Sequence, residues 1–300
     1  MTRKVVLGII KYIKSYITKY TIIQGGGIMK IQTTNLGKGG GGKTTDTFNE
    51  GDWLARVKGL RTLLIDGAWE CNLTRTFDVK CEKTVYDIFT TGEYEIVPIS
   101  ENLSLICGDE RLTDEQLDLA SRNNKYLQLF MWFSEHYEEL EAQFDVILID
   151  THNDESLVTA NFIAVSDIVL AVSDASLNGF RAWLSLKNFV DFIKSEAIEV
   201  ITKKSYVKAE PYLIGNKIKY VGNNVTDTCK QFLEVVEEDQ AYLGSIQEKE
   251  LMAKSLVISQ SVFEQHEEMT ANQKETHQKF YDNINYVYEN ILSVLEGEVA

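Results

Sequence analysis

Proline is nearly missing from this chain. It has two in 300 residues, Pro98 and Pro211, where ordinary usage of about 5% would place roughly fifteen. No run of about 18 uninterrupted apolar residues occurs, which excludes a membrane-spanning helix of the usual kind. The four cysteines, Cys71, Cys81, Cys107 and Cys229, show no C-x-x-C pairing. They are expected to be reduced thiols, forming neither a disulfide framework nor a zinc site. The four histidines, His136, His152, His266 and His277, lack metal-ligand spacing, and no G-x-S-x-G elbow marks a serine hydrolase. Positive charge is scarce as well: 30 Lys and Arg face 45 acids, for a net charge of −15. That balance excludes a surface built wholly for nucleic acid. The deficit is uneven, because residues 1–45 hold eight basic residues and no acid. Contact with DNA or anionic lipid would therefore need a local basic patch.

Between Val5 and Ile23, apolar residues at 5, 6, 9, 10, 13 and 17 line one helical face, with Arg3, Lys4, Lys11, Lys14 and Lys19 interleaved. The spacing predicts a basic amphipathic helix that docks on the domain, with lipid, DNA or dimer contacts as alternatives. The lysines interrupt any secretory h-region, and Gly25-Gly26-Gly27 breaks the chain after it. From residue 28 onward, short apolar runs alternate with helical patterns. Strands are expected at Ile28–Thr34, Arg61–Ile65, Leu103–Ile106, Val146–Ile149, Ile168–Val172, Tyr212–Ile214 and Tyr242–Ile246. Helices are expected at Asp114–Glu141 and Gly179–Glu196, with one or two more over Gln260–Leu295. This alternation predicts an α/β fold in three layers, a mostly parallel sheet of seven or eight strands with helices on both faces. The expected division is a basic amphipathic helix with a Gly-rich break over residues 1–27 and one domain over 28–300.

The strongest local signal is Gly37-Lys38-Gly39-Gly40-Gly41-Gly42-Lys43-Thr44-Thr45. It fits G-x-x-x-x-G-K-[ST] between a strand and a helix, the context a phosphate-binding loop requires. Glycines let successive backbone N–H groups curl round a phosphate. Lys43 supplies a charge to the β- and γ-phosphates, Thr44 a hydroxyl to Mg²⁺, and the helix N-terminus its dipole. Phe144-Asp145-Val146-Ile147-Leu148-Ile149-Asp150 looks like a Walker B strand, whose carboxylate would hold Mg²⁺ at the C-terminal sheet edge.

Lys38, inside the loop, is not needed by a generic nucleotide site. K-G-G-x-G-K-T-T resembles the deviant loop of the ParA/MinD family of dimeric ATPases. Asp66-Gly67-Ala68-Trp69-Glu70-Cys71-Asn72-Leu73-Thr74 is similar to the family's D-x-D-P-Q-x-N-L-T, and its ending is closer to the ParA branch. Leu213-Ile214-Gly215-Asn216-Lys217 and Tyr242–Glu248 resemble the family's last strands. The resemblance implies a dimer that sandwiches two ATP molecules, with Lys38 acting on the partner's nucleotide. It implies ATP or ADP and Mg²⁺ as ligands, held by Gly39, Gly40, Gly41, Gly42, Lys43, Thr44 and Thr45. Asn216 would bond the adenine edge, and Asp66 would join Thr44 and Asp150 round the metal. Lys38, Lys43 and Asp66 would serve catalysis. The implied setting is plasmid or chromosome partition in the bacterial cytoplasm, on the nucleoid, with nonspecific DNA and a centromere-bound protein as partners. A MinD-like membrane ATPase is the less favoured branch, since that helix usually lies at the C-terminus.

Two departures matter. The family's second Asp after this strand activates the attacking water, and here that position is Ala68. Alanine neither accepts a proton nor holds water, so hydrolysis is expected to be impaired unless a neighbour such as Glu70 substitutes. The family also usually has Pro where this chain has Trp69, Cys107, Asn153, Ala175 and Gln247. Losing them is expected to loosen the strand-end loops. An ATP-binding module that never turns over is thus a second reading. For DNA, the sequence offers Lys203, Lys204, Lys208, Lys217 and Lys219, with Lys187, Lys194 and Lys230 nearby. Only Glu210 and Asp227 oppose them within 203–230, which suits weak, salt-sensitive phosphate binding.

Overall fold

The computed structural model describes residues 28–222 and 224–297. The predicted helix of Val5–Ile23 lies outside the described residues. Eight strands form one sheet: β1 Lys30–Thr34, β2 Thr62–Gly67, β3 Val97–Pro98, β4 Leu103–Ile106, β5 Val146–Thr151, β6 Ile168–Asp174, β7 Glu210–Ile218 and β10 Tyr242–Gln247. Their order across the sheet is β10-β7-β6-β1-β5-β2-β4-β3. Every pairing is parallel except β3 with β4. A small antiparallel ribbon, β8 Tyr220–Val221 with β9 Asn224–Val225, stands apart.

β2, β5 and β6 carry continuous apolar runs because both of their faces are covered, whereas β1 between them buries Gln32 and Thr33 by hydrogen-bonding them to Glu50 and Ser166. Alternate residues go to opposite layers. Leu64, Leu148 and Leu170 pack with Phe48, Trp53 and the long helix Ala271–Glu296. Leu63, Ile65, Ile147 and Ile149 pack on the other face, against the helices Gln128–Gln143 and Leu157–Val165. Val169, Ala171 and Leu213 pack beside them against Leu177–Glu196. The three-layer expectation therefore holds, and all seven predicted strands are present, most of them longer than predicted.

The predicted helix Asp114–Glu141 does not form in one piece. The chain makes a single turn at Asp114–Leu117, a 3-10 turn at Leu119–Ser121, and starts again at Gln128. Asp118 and Asn124 take left-handed backbone angles there, φ 46° and 54°, which short polar side chains tolerate and which end a right-handed helix. The Arg122 guanidinium then donates to the carbonyls of Phe89 and Leu117 at 2.6 and 2.8 Å. The C-terminal pattern resolves into two helices, Val262–Glu268 and Ala271–Glu296, each opened by a Ser or Thr capping box.

The cysteine expectation is corrected in part. Cys81 and Cys107 are joined as a disulfide across 26 residues, with Cα atoms 6.2 Å apart, within the usual span. No short-range pattern marks this pair, because the β4 end and the turn at Cys81 meet only in the fold. Cys71 and Cys229 are free and buried.

Candidate functional site

The loop after β1 delivers the phosphate-binding motif to the C-terminal edge of the sheet, between β5 and β6. Two of its glycines are sterically required. A Cβ on Gly41 would lie 2.5 Å from the Val172 carbonyl oxygen, and Gly42 adopts φ +101° with the Asn216 amide 2.5 Å from the same virtual position. Gly42 is the N-cap of the helix Lys43–Asp52 and offers no capping side chain. The first-turn N–H groups are thus left to an incoming anion. Gly39 and Gly40 complete the curl, and Gly40 also takes a positive φ of 81°. Thr45 lies in the first helical turn, where its carbonyl accepts from Asn49 Nδ2 at 2.6 Å.

Lys43 is buried, and its ammonium donates to Asn153 Oδ1 and weakly to the Leu36 carbonyl. Desolvation lowers its pKa, with Asp150, Glu70 and Asp154 opposing that. Thr44 Oγ1 donates to Asp150 Oδ2 at 2.6 Å. The other oxygen, Asp150 Oδ1, is buried with no partner among the described residues. Burial, helped by the nearby charge of Asp66, pushes the Asp150 pKa up to about 7, against the Thr44 bond and Lys43. An orphaned carboxylate oxygen beside a threonine hydroxyl is a hard oxygen pair of the kind Mg²⁺ prefers, so these residues fit the implied metal.

Asp66 sits opposite Asp150 in register but turns its oxygens elsewhere. Oδ2 accepts from Thr74 N at 2.8 Å and Thr74 Oγ1 at 2.7 Å, and Oδ1 from Ala68 N at 3.3 Å. Burial pushes its pKa up to about 6. Asp66 therefore braces the loop after β2, while Thr44 and Asp150 meet each other directly. Asn216 is buried and donates to the Gly41 carbonyl at 2.9 Å, so it holds the phosphate loop from the β7 side. Beside it, Lys217 Nζ donates to the Gly40 carbonyl at 2.7 Å.

Lys38 lies across the loop mouth, with Nζ 2.5 and 2.6 Å from the two oxygens of Asp174 and 2.8 Å from Ser176 Oγ. Sequence reasoning missed these acceptors. The signal available was an acid at the end of an apolar strand, followed by a Ser that caps the helix Leu177–Glu196. Three of the positions where the family usually has proline carry side chains that make contacts. Asn153 holds Lys43, Cys107 is in the disulfide, and the Trp69 ring packs on His152 at 5.3 Å.

The basic cluster does not gather into one patch. Lys203, Lys204 and Lys208 precede β7, whereas Lys217 ends it and Lys219 follows. Nine residues of strand at ~3.3 Å each put roughly 25–30 Å between the two groups. Acids also neutralise several members. Lys208 pairs with Asp167 at 2.7 Å, Lys194 with Glu210 at 2.7 Å, Lys187 with Asp239 at 2.5 Å, and Lys219 approaches Glu248 at 3.9 Å. Lys203 and Lys204 have no ion-pair partner among the described residues.

Residues 29–204 match the family model of an AAA domain. The chromosome partitioning protein ParA of Myxococcus xanthus is 26% identical over 164 residues, which are 52% of this chain and 56% of that protein. The chain thus spans little more than half the length of that curated relative. Apo McdA from Cyanothece superposes with a TM-score of 0.73 at 19% identity, covering 88% of this chain and 99% of that one. Cobyrinic acid a,c-diamide synthase from Mycobacterium smegmatis, solved with an ATP analogue and magnesium, gives a TM-score of 0.59 at 17% identity, over 71% and 83% of the two chains. At such identities the structural likeness shows the fold alone. Among the described residues, no helix is long and apolar enough to cross a membrane.

Proposed function

The chain belongs to the AAA domain family, in its ParA/MinD-type branch, and on that premise we propose that it is an ATP-dependent dimeric switch of the partition type. The observation that carries this reading is the pairing of a two-lysine phosphate loop with an orphaned Walker B oxygen, Asp150 Oδ1, beside Thr44. Loop amides and Lys43 would hold the phosphates of ATP, and Thr44 and Asp150 the Mg²⁺, which supplies charge neutralisation at the β- and γ-oxygens. Lys38 would leave Asp174 to reach the partner's nucleotide. Magnesium–ATP favours the dimer, the dimer binds nonspecific DNA, and hydrolysis releases it, so the switch is a population shift. A centromere-bound protein would stimulate the last step, on the nucleoid in the cytoplasm. Residues 28–300 act as one ATPase domain in this reading.

Ala68 slows the release step unless a neighbour supplies the base, because a positioned base contributes typically about 10²–10⁴-fold in rate. The missing carboxylate at position 68 also motivates a second reading, a folded ATP-binding module without turnover. Light scattering with and without magnesium–ATP tests the switch, alongside DNA co-sedimentation. The expected result is a nucleotide-dependent doubling of mass and DNA binding only in that state. A monomer that binds ATP and never dimerises would overturn it.

A further inference from the structure

Position 68 lacks a carboxylate, yet another carboxylate stands close by. β2 and β5 are neighbours in register, with Asp66 opposite Asp150 and Gly67 opposite Thr151. Their C-terminal loops therefore leave the sheet side by side, and one side-chain hydrogen bond bridges them. His152 Nδ1 lies 2.8 Å from Glu70 Oε2. The Trp69 ring covers the imidazole, and the His152 carbonyl accepts from Asn35 Nδ2 at 2.9 Å. Glu70 is thus held at one oxygen, while Oε1 meets no donor among the described residues. The carboxylate remains open to water at 29% exposure. Its charge reaches Lys43, Asp150 and Asp66, the groups that surround the phosphate loop mouth.

The other acids at these two strand ends are drawn into local structure or a neighbouring helix, Glu155 by a bond from Ser185. Both oxygens of Asp66 are taken by Thr74 and Ala68. Asp154 Oδ1 accepts from Ser156 and Thr159 at the start of the next helix. We propose that Glu70, positioned by His152, orients and deprotonates the hydrolytic water in place of the carboxylate missing at position 68. This rests on the reading of the chain as an ATPase. The water oxygen forms its bond to the γ-phosphorus as the bond from that phosphorus to the β,γ-bridging oxygen breaks. ADP departs with that electron pair, and the water proton passes to Glu70 Oε1 and on to solvent. Glu70 is the catalytic residue in this scheme, and His152 positions it.

The test measures phosphate release and ATP affinity of the full chain and its variants with magnesium. Glu70→Gln is expected to lower kcat by about 10²-fold or more, the size of general-base assistance, with ATP affinity kept within about twofold. His152→Ala should lower kcat by less than Glu70→Gln does, with KM unchanged. Adding Ala68→Asp to Glu70→Gln should restore turnover, which a merely structural role for Glu70 would not allow. Unmodified turnover in Glu70→Gln would overturn the assignment. So would a Glu70→Gln, Ala68→Asp chain that binds ATP and stays inactive, or an unmodified chain that binds ATP and never hydrolyses it. In those cases the ATP-binding reading survives. Absence of ATP binding in the unmodified chain overturns that underlying reading instead.

Discussion

Lys38 and Asp174 form a two-oxygen ion pair at 2.5 and 2.6 Å that ties the phosphate loop to the end of β6. Ser176 adds a third acceptor from the cap of the following helix. Burial works against the Asp174 charge, but Lys38 and Ser176 outweigh it and hold the carboxyl below its ordinary range. The lysine proposed to act on a second subunit is therefore occupied within its own subunit.

Removing that restraint should favour the dimer. The pair is partly exposed, so it is worth no more than about 1 kcal/mol, and Asp174→Asn should raise the dimer constant at fixed magnesium–ATP by up to about fivefold. Sedimentation equilibrium checks this. A dimer constant that falls would mean that Asp174 serves the closed state and does not restrain the open one.

Asp150 carries the metal prediction. Asp150→Asn keeps an acceptor for the Thr44 hydroxyl but removes the charge that Mg²⁺ needs. Magnesium should then no longer improve ATP binding, a loss of about 10–100-fold in metal affinity. Calorimetric titration of ATP in magnesium and in EDTA measures the difference. Equal magnesium enhancement in the two proteins would place the metal elsewhere.

What could be read from the sequence was what is local in it. The phosphate loop and the Walker B strand announce themselves because glycines, a lysine and a threonine must be adjacent, and because residues 146–149, covered on both faces, are an unbroken apolar run ahead of Asp150. The contacts that depend on strand order could not be read. Lys38 meets Asp174 only because β1 lies beside β6, and Glu70 meets His152 only because β2 lies beside β5. The Cys81–Cys107 pairing is hidden for the same reason. The lysines of 203–219 looked like one patch because sequence distance cannot show that β7 carries the chain across the sheet between them.

A pH dependence follows from the helix Lys43–Asp52. Burial pushes Asp46 up to about 7 despite the Tyr288 hydroxyl. Burial and the neighbouring Asp46 also push Glu50 well above its ordinary value, against the Gln32 amide. In the unfolded chain both titrate near ~4, so between ~4 and about 7 the folded state binds protons that the unfolded state has released. Stability from these groups is full below ~4 and is lost as pH rises through the folded values. Glu50→Gln should therefore leave the melting temperature at pH 4 unchanged, raise it at pH 8, and flatten the decline between. Parallel melting curves for the two proteins would show that Glu50 is not the source.

Lys203 and Lys204 lead the DNA prediction, because the other members of the basic cluster are ion-paired or engaged at the phosphate loop. Each DNA phosphate that a lysine no longer neutralises should reduce the slope of log affinity against log salt by about 0.9. Replacing both lysines by alanine should then lower that slope by about 2 and weaken binding equally on unrelated duplexes. Lys208→Ala, which breaks the pair with Asp167, should change DNA affinity far less. Fluorescence anisotropy on two unrelated duplexes across a salt series makes the comparison. An unchanged slope in the double variant would move the DNA-binding face to another surface, with Lys217 and Lys219 on the far side of β7 as the next to test.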